Sequence, residues 1–127
     1  MRIKHFNLSP GVEIFKALSD EARIRILNLI FHKQEMCVSD LELVLDFTQT
    51  KTSRHLLYLR NAGLVGTRRT DQFVFYFIKD ELKDVIAPLL RYMEKDALLL
   101  ADIETFEILY GNKELSVSRF HQRRFEH

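Results

Sequence analysis

The hydrophobic periodicity of the chain changes at Gly63, and this change constrains the fold more than any other feature. Before Gly63, apolar residues recur at the spacing of amphipathic helices. After it, two runs rich in β-branched and aromatic residues, LVGTRR and FVFYFI, flank the short segment 70–72 as in a β-hairpin. Helical spacing returns from Asp80 onward. The sequence therefore predicts a mainly α chain that contains one small hairpin.

Four helices are predicted before the hairpin. The segment PGVEIFKALSDEARIRILNLIFHK contains two, divided at Ser19, which we expect to accept a hydrogen bond from the start of the second helix. VSDLELVLDF is a third, short helix with Ser39 or Asp40 as its cap. A fourth begins after its cap, Thr48, and ends at Gly63, which suits a left-handed stop. A short helix, a tight link and a second helix that ends at glycine form the outline of a helix-turn-helix.

The region after the hairpin is predicted as one long helix with a broad apolar face. Pro88 lies inside this pattern and either starts the helix proper or kinks it. The face is broader than one small domain would bury alone, so we predict that it forms a dimer interface together with the first helix, although an internal core helix is the alternative. The predicted interface residues are Val12, Phe15, Leu82, Ile86, Leu89, Met93 and Leu100.

Positive charge is concentrated in one part of the chain. The whole sequence has 19 basic and 18 acidic residues and a formal charge of +1, yet residues 47–70 contain five basic residues and no acidic one. A solvated helix face usually mixes both signs, so this acid-free segment favours a polyanionic partner, double-stranded DNA.

The start of the fourth helix has side chains suited to reading DNA. If Thr48 is the cap, the first turns of this helix point into the major groove in helix-turn-helix docking. Gln49 can pair with an adenine edge, Lys51 or Arg54 with guanine, and the hydroxyl side chains with a base or a phosphate. Local capping is the alternative for the hydroxyls, and a solvated position is the alternative for the two cations.

Three further residues are assigned to DNA with open alternatives. His55 either contacts a phosphate or packs as a structural group beside the apolar stripe of its helix. Arg68 and Arg69 alternate along a strand, so only one of them is expected to face DNA. The predicted DNA-binding residues are Thr48, Gln49, Thr50, Lys51, Ser53, Arg54, His55, Arg68 and Arg69.

Three separated segments carry a family resemblance. FKALSDEARIRILNLI, CVSDLELVLDFTQTKTSRHLLYLRNAGLV and GTRRTDQFVFYFI resemble the opening helix junction, the helix-turn-helix and the wing of the ArsR/SmtB family of winged helix-turn-helix transcriptional repressors. Glu21 stands where the family usually has proline, and the wing turn has no glycine. The resemblance implies the element order ααααββα and a repressor that dimerises through its terminal helices. Two such recognition helices would bind an inverted-repeat operator, which the repressor leaves when a metal ion or another signal arrives.

The metal sites through which members of this family sense their inducers are incomplete or missing in this sequence. Family members that sense thiophilic metals have a Cys-Val-Cys motif, but here Cys37 is followed by Ser39 at the second position. The zinc site of other members needs histidine in the dimer helix, and residues 80–101 contain none. We therefore expect no metal and no other cofactor. His121, Glu126 and His127 could form a tail site, and His5 could reach Cys37, but neither spacing is specific to a metal. Cys37 is a candidate redox sensor if it is exposed, and a buried structural cysteine is the alternative.

Other classes of protein fit the sequence less well. No residue is identifiable that would orient Cys37 with His32 or His55, so an enzyme is not expected. A winged-helix module that binds protein instead of DNA is the remaining alternative. No apolar run approaches the roughly 18 residues of a membrane span, and a single cysteine fits a reducing compartment, so we expect a cytoplasmic protein. We assign residues 1–101 to the winged helix-turn-helix and dimerisation domain, and 102–127 to a C-terminal extension without a structural prediction.

Overall fold

The secondary structure of the chain is mainly helical, with one small sheet. The computed structural model describes residues 5–125, and side chains as far as His121. The elements in this range are α1 (Leu8–Leu18), α2 (Glu21–Lys33), β1 (Met36–Cys37), α3 (Val38–Leu45), α4 (Gln49–Asn61), β2 (Val65–Thr70), β3 (Phe73–Ile78), α5 (Asp80–Tyr92), α6 (Ala97–Gly111) and α7 (Ser116–Phe125). The predicted winged helix-turn-helix is confirmed, with α3 and α4 as the helix pair and β2 and β3 as the wing.

The sheet contains one strand that the sequence pattern did not predict. Its order is β1-β3-β2 and both pairings are antiparallel, with Cys37 opposite Phe75 and Arg69 opposite Val74. A strand of two residues is too short to show a period, so β1 could not have been found from alternation. In the wing turn, which has no glycine, Asp71 takes the left-handed conformation with φ of 55°, which a short polar side chain tolerates.

Two helix starts test the predicted caps. Thr48 caps α4 as expected, since its Oγ1 accepts a hydrogen bond from the backbone N–H of Lys51 at 3.1 Å. At α2 the predicted cap, Ser19, is wrong, and Asp20 accepts from the N–H of Arg23 at 3.1 Å. Ser19 instead closes α1, where its hydroxyl donates to the carbonyl of Lys16 at 2.9 Å.

The predicted caps of α3 are also wrong, because both residues lie inside the helix. Cys37 occupies the N-cap position and makes no side-chain capping bond. The carboxylate of Asp40 is buried and accepts hydrogen bonds from the backbone N–H groups of Ser116 at 2.6 Å and Val117 at 3.0 Å. Asp40 therefore satisfies two of the free donors at the start of α7, a helix that is distant in sequence.

The single long helix predicted after the hairpin is two helices. α5 ends at Tyr92, and Asp96 begins α6 by accepting hydrogen bonds from the N–H groups of Leu98 at 3.0 Å and Leu99 at 3.1 Å. Pro88 lies within α5, not at its start. The sequence pattern did not reveal the break, because the apolar residues keep their helical spacing across the point where one helix ends and Asp96 caps the next.

The C-terminal helices pack on the helix-turn-helix core. Arg25 of α2 donates two hydrogen bonds of 2.9 Å to the buried carboxylate of Asp102 in α6, and these bonds raise the pKa of Arg25. The boundary expected at residue 101, between the DNA-binding domain and the C-terminal extension, falls inside α6, where the helix is continuous.

α7 covers one face of the wing sheet. The ring of Phe120 lies with its centroid 5.3 Å from that of Phe73 and 5.4 Å from that of Phe75. The core beneath the sheet and helices includes the fully buried residues Ile26, Leu27, Leu29, Ile30, Leu41, Leu56, Leu59, Leu64, Val65 and Phe75. Across residues 5–125, no helix is both long and apolar enough to pass through a membrane.

Candidate nucleic-acid interface

One side of α4 is fixed in the core and the other is left open. Leu56 and Leu59 are fully buried, and so is Thr52, whose hydroxyl donates to the carbonyl of Thr48 at 2.8 Å. The exposed residues at the start of the helix are Thr48, Gln49, Thr50, Ser53 and Arg54. Burial of the opposite stripe therefore brings five of the predicted DNA-binding side chains onto one surface.

The two cations at the start of α4 differ in their surroundings. The ammonium of Lys51 lies 4.0 Å from the ring centroid of Phe47, so an aromatic face holds this partly buried side chain. Arg54 is exposed, and within the described part of the chain it has no ion pair. Arg54 is thus available to an external anion at the N-terminal end of the helix.

His55 does not belong to this surface, and its prediction as a DNA-binding residue is corrected. It is only 8% exposed, and its Nδ1 lies 3.4 Å from Nη1 of Arg23. Burial lowers the pKa of His55 below its usual value, and the nearby cations lower it further despite the opposing effect of Asp20. The ring is therefore a neutral packed group at neutral pH, as in the structural alternative.

Arg23 holds α4 against α1 and α2, a role that sequence reasoning missed. Its Nε donates to the carbonyl of Ala17 at 2.8 Å and its Nη2 to that of Lys16 at 3.0 Å. Its Cζ lies 4.1 Å from the ring centroid of Tyr58 in α4. These partners are brought together only by the tertiary fold, so no local pattern could have identified them.

The two wing arginines lie on opposite faces of the hairpin. Arg68 donates from Nη2 to both carboxylate oxygens of Glu35, each at 2.7 Å, and its Cζ lies 5.2 Å from the ring centroid of Phe75. Arg69 is exposed and pairs across the strands with Val74. The wing therefore presents Arg69 more freely than Arg68 to a partner beyond the hairpin.

The predicted dimer interface is partly covered by the chain itself. Leu82 is 3% exposed and Ile86 is 1% exposed, because this side of α5 packs into the core. The prediction that these two residues lie in the dimer interface is therefore wrong. Met93 is partly buried. The remaining predicted residues are well exposed, namely Val12 at 39%, Phe15 at 67%, Leu89 at 42% and Leu100 at 52%.

Cys37 is buried beside the start of α3. Its Sγ lies 3.6 Å from the hydroxyl of Ser39. Burial, and then the charge of Asp40, raise the pKa of the Cys37 thiol to about 11. The condition for a redox sensor, an exposed thiol with a stabilised thiolate, is not met, and the structure favours the alternative of a buried structural cysteine.

The thiol should accordingly react slowly in the folded protein. A pKa of about 11 against an ordinary 9.0 reduces the thiolate fraction at neutral pH roughly 100-fold. We expect iodoacetamide or peroxide to leave Cys37 unmodified in the native protein and to modify it readily in denaturant, as followed by mass spectrometry. Equal rates in the two conditions would show that the thiol is accessible.

No metal site is evident among the described side chains. Through His121, no three side chains of histidine, cysteine, aspartate or glutamate are grouped closely enough to hold an ion. His121 itself accepts or donates a hydrogen bond of 2.8 Å at Nδ1 with the hydroxyl of Tyr110. The other two members of the suggested tail site, Glu126 and His127, lie outside the described residues.

Comparison with known proteins places this geometry in a family. Residues 20–67 match the family described as bacterial regulatory protein, arsR family. The arsenic resistance transcriptional regulator ArsR1 of Pseudomonas putida is 38% identical over 104 residues, which are 76% of this chain and 80% of that protein.

Solved structures agree with this placement. HlyU from Vibrio cholerae is 36% identical, with a TM-score of 0.59 over 66% of this chain and 91% of its own. The homodimeric winged helix-turn-helix DNA-binding domain Mb0332 from Mycobacterium bovis is 26% identical, with a TM-score of 0.60 over 71% of this chain and 82% of its own. The protein belongs to the ArsR family of winged helix-turn-helix, DNA-binding transcriptional regulators and is not an enzyme.

Proposed function

We propose that this regulator is a repressor that binds a specific inverted-repeat operator as a homodimer. The exposed, acid-free start of α4, with Gln49, Ser53 and Arg54 on one surface, carries the proposal. An amide, a hydroxyl and a guanidinium together can read adenine and guanine edges in the major groove. Lys51 adds positive charge to the same turn, and Arg69 of the wing supplies a phosphate contact at the flank of the site.

The homodimer forms through the apolar surface of α1, α5 and α6. Phe15 is 67% exposed, and Val12, Leu89 and Leu100 add exposed apolar area on the same three helices. We propose that these side chains form one apolar patch, which on a small domain typically marks an interface between proteins. The similar domain Mb0332 is described as homodimeric, which supports the same assembly here.

Replacing Phe15 by glutamate should separate the dimer. A charge placed at a desolvated interface costs several kcal/mol of association energy, so we expect sedimentation at micromolar concentration to shift from about 30 kDa toward the 15.1 kDa of one chain. Leu43→Glu is the matched control, because Leu43 is a similarly exposed leucine on α3. A wild-type protein that sediments only as one chain would contradict the homodimer.

Induction does not use the classical metal sites of the family. Cys37 offers one buried, protonated thiol beside the hydroxyl of Ser39, whereas a soft metal normally needs several thiolates. The segment 80–101, which forms α5 and the start of α6, has no histidine. These donor sets do not fit a thiophilic ion or zinc, so we propose that the signal is of another kind.

Fluorescence anisotropy with duplex DNA tests the proposal directly. The protein is titrated into DNA from upstream of its own gene and into a scrambled duplex, at two salt concentrations. A specific regulator should prefer the native fragment by roughly 1,000-fold or more, and its affinity should fall steeply with salt. Weak, equal and salt-insensitive binding to both duplexes would reject DNA as the partner and favour the alternative, a winged-helix module that binds protein.

A further inference from the structure

A cleft of about 630 Å³ lies between the α2–β1 connection and the C-terminal helices. Lys33, Glu35, Lys83, Phe106, Tyr110 and His121 are among the residues that line it, and we call it the α6–α7 cleft. Its volume falls within the roughly 300–1,000 Å³ of small-molecule sites. It is larger than a second cleft of about 400 Å³ beside Cys37.

One side of the α6–α7 cleft is aromatic and apolar. The rings of Phe106 and Tyr110 are stacked, with centroids 5.8 Å apart and planes inclined by 12°. Met36 and Val117, both buried, add aliphatic surface. A flat apolar or aromatic body would find complementary contacts on this side.

The acids of the cleft already have partners within the protein. Glu35 accepts two hydrogen bonds from Arg68 at 2.7 Å, and Glu107 is paired with Lys33. The carboxylate of Asp40 is held by two backbone N–H groups of α7. None of these acids therefore requires a cationic ligand to be satisfied.

The basic groups of the cleft also retain hydrogen-bonding capacity. The ammonium groups of Lys33 and Lys83 each have three N–H donors, of which Lys33 directs one to Glu107 and Lys83 one to Asp80 at 3.0 Å. His121 is bonded at Nδ1 to the hydroxyl of Tyr110, which leaves Nε2 for a further partner. Two ammonium groups and one imidazole nitrogen at the cleft can therefore take a further partner, and the two ammonium groups are cations.

We propose that the α6–α7 cleft binds a small organic anion with a flat apolar body, and that this binding is the regulatory signal. The anionic head is held by Lys33, Lys83 and His121, and the body lies against Phe106 and Tyr110. The regulatory part rests on the function proposed above, whereas the binding part stands without it.

The cleft lies where it can influence both DNA-contacting units. Asp40, which lines it, belongs to α3 of the helix-turn-helix and holds the start of α7. Glu35, which also lines it, holds Arg68 of the wing. A ligand can shift the balance between two arrangements of the Asp40 and Glu35 contacts if it binds one arrangement more tightly than the other. Such a shift would change the position of the wing relative to the recognition helix, and therefore the affinity for DNA.

Binding is tested by NMR on the full ¹⁵N-labelled chain without DNA. Naphthalene-2-carboxylate is the anionic probe, and 2-naphthalenemethanol is its neutral counterpart. We expect saturable amide shifts at residues 33–36, 106–110 and 117 with the carboxylate, and at least tenfold weaker binding of the alcohol. Equal binding of the two probes, no saturable binding, or shifts confined to the apolar surface around Phe15 would overturn the assignment.

Two charge variants sharpen the test. Lys33→Met keeps an apolar stem over Phe106, whose ring centroid lies 4.6 Å from the ammonium, and should weaken carboxylate binding about tenfold. Lys95→Met, at an exposed lysine outside the cleft, should leave it unchanged. Wild-type-like binding by a Lys33→Met protein with a native spectrum would reject the site.

The regulatory part has its own readout. Once DNA binding has been shown, saturating naphthalene-2-carboxylate should change operator affinity of the wild type at least fivefold, and that of Lys33→Met by much less. Binding to the cleft with no change in operator affinity would reject the regulatory part alone. Absence of specific DNA binding would reject the proposed function, while the NMR result would still decide the site.

Discussion

Replacing Arg54 by alanine is expected to weaken operator binding by roughly 10- to 100-fold, the largest effect we predict for one side chain at the DNA surface. A bidentate contact between arginine and guanine provides about 1–3 kcal/mol of discrimination. Arg54 is exposed beside Ser53 on α4, and no ion pair within the described residues competes for its guanidinium. Anisotropy with the operator and with a scrambled duplex measures the loss.

A lysine at the same position separates base reading from simple charge. Arg54→Lys keeps the charge but loses the planar pair of donors, so a base contact predicts that most of the specificity disappears while non-specific binding and its salt dependence remain. A phosphate contact predicts the opposite: Arg54→Lys binds almost normally, and Arg54→Ala flattens the salt dependence by about one unit of slope.

Arg60 provides the matched control on the same helix. It is an exposed arginine in the last turn of α4, away from the end that we assign to the groove. Arg60→Ala should change operator affinity by less than about threefold, since a distant surface charge is weakened by solvent and salt. Equal losses for Arg54→Ala and Arg60→Ala would indicate general electrostatic attraction, and would remove Arg54 from the specific contacts.

The recognition helix was predictable because its determinants are local. The cap Thr48, the buried stripe that includes Leu56 and Leu59, and the left-handed stop at Gly63 with φ of 82° all lie within one segment. Burial of one stripe then dictates which side chains are exposed on the opposite side. The exposure of His55 could not be predicted in this way, because a residue next to the buried stripe can be either exposed or buried. Its burial depends on the tertiary fold, which places Arg23 of α2 beside its ring.

The C-terminal half was poorly predicted because its determinants are long-range. Asp40 looked like a helix cap by position, but its partners are Ser116 and Val117, more than 70 residues away. The apolar face that includes Leu82 and Ile86 was visible in the sequence, but amphipathicity does not distinguish a surface covered by the same chain from one covered by a second copy. α7 has few apolar residues of its own and is held by residues distant in sequence, among them Asp40 of α3 at its start and the wing residues that contact Phe120.

The ion pair between Arg25 and Asp102 offers the strongest test of how the C-terminal helices contribute to the fold. We expect Arg25→Met to lower the free energy of unfolding by about 3–5 kcal/mol, because it leaves a carboxylate buried without its partner. Asp102 is 4% exposed and receives both hydrogen bonds from Arg25. Chemical denaturation at one fixed protein concentration gives the value, since association would otherwise shift the apparent stability.

The double variant Arg25→Met, Asp102→Leu determines whether the loss comes from the unpaired charge. Two apolar residues of similar volume should recover most of the stability, since replacing a buried ion pair by packed side chains is often neutral or favourable. Lys16→Met is the control, because it removes an ion pair with Glu13 in which both side chains are more than half exposed and should cost less than about 1 kcal/mol. If Arg25→Met lowers the free energy of unfolding by no more than the Lys16→Met control, α6 is only loosely attached to α2. A large loss that the double variant reverses would instead make α6 part of the winged helix-turn-helix domain, so that a signal received among the C-terminal helices reaches the DNA-binding helices through directly packed residues.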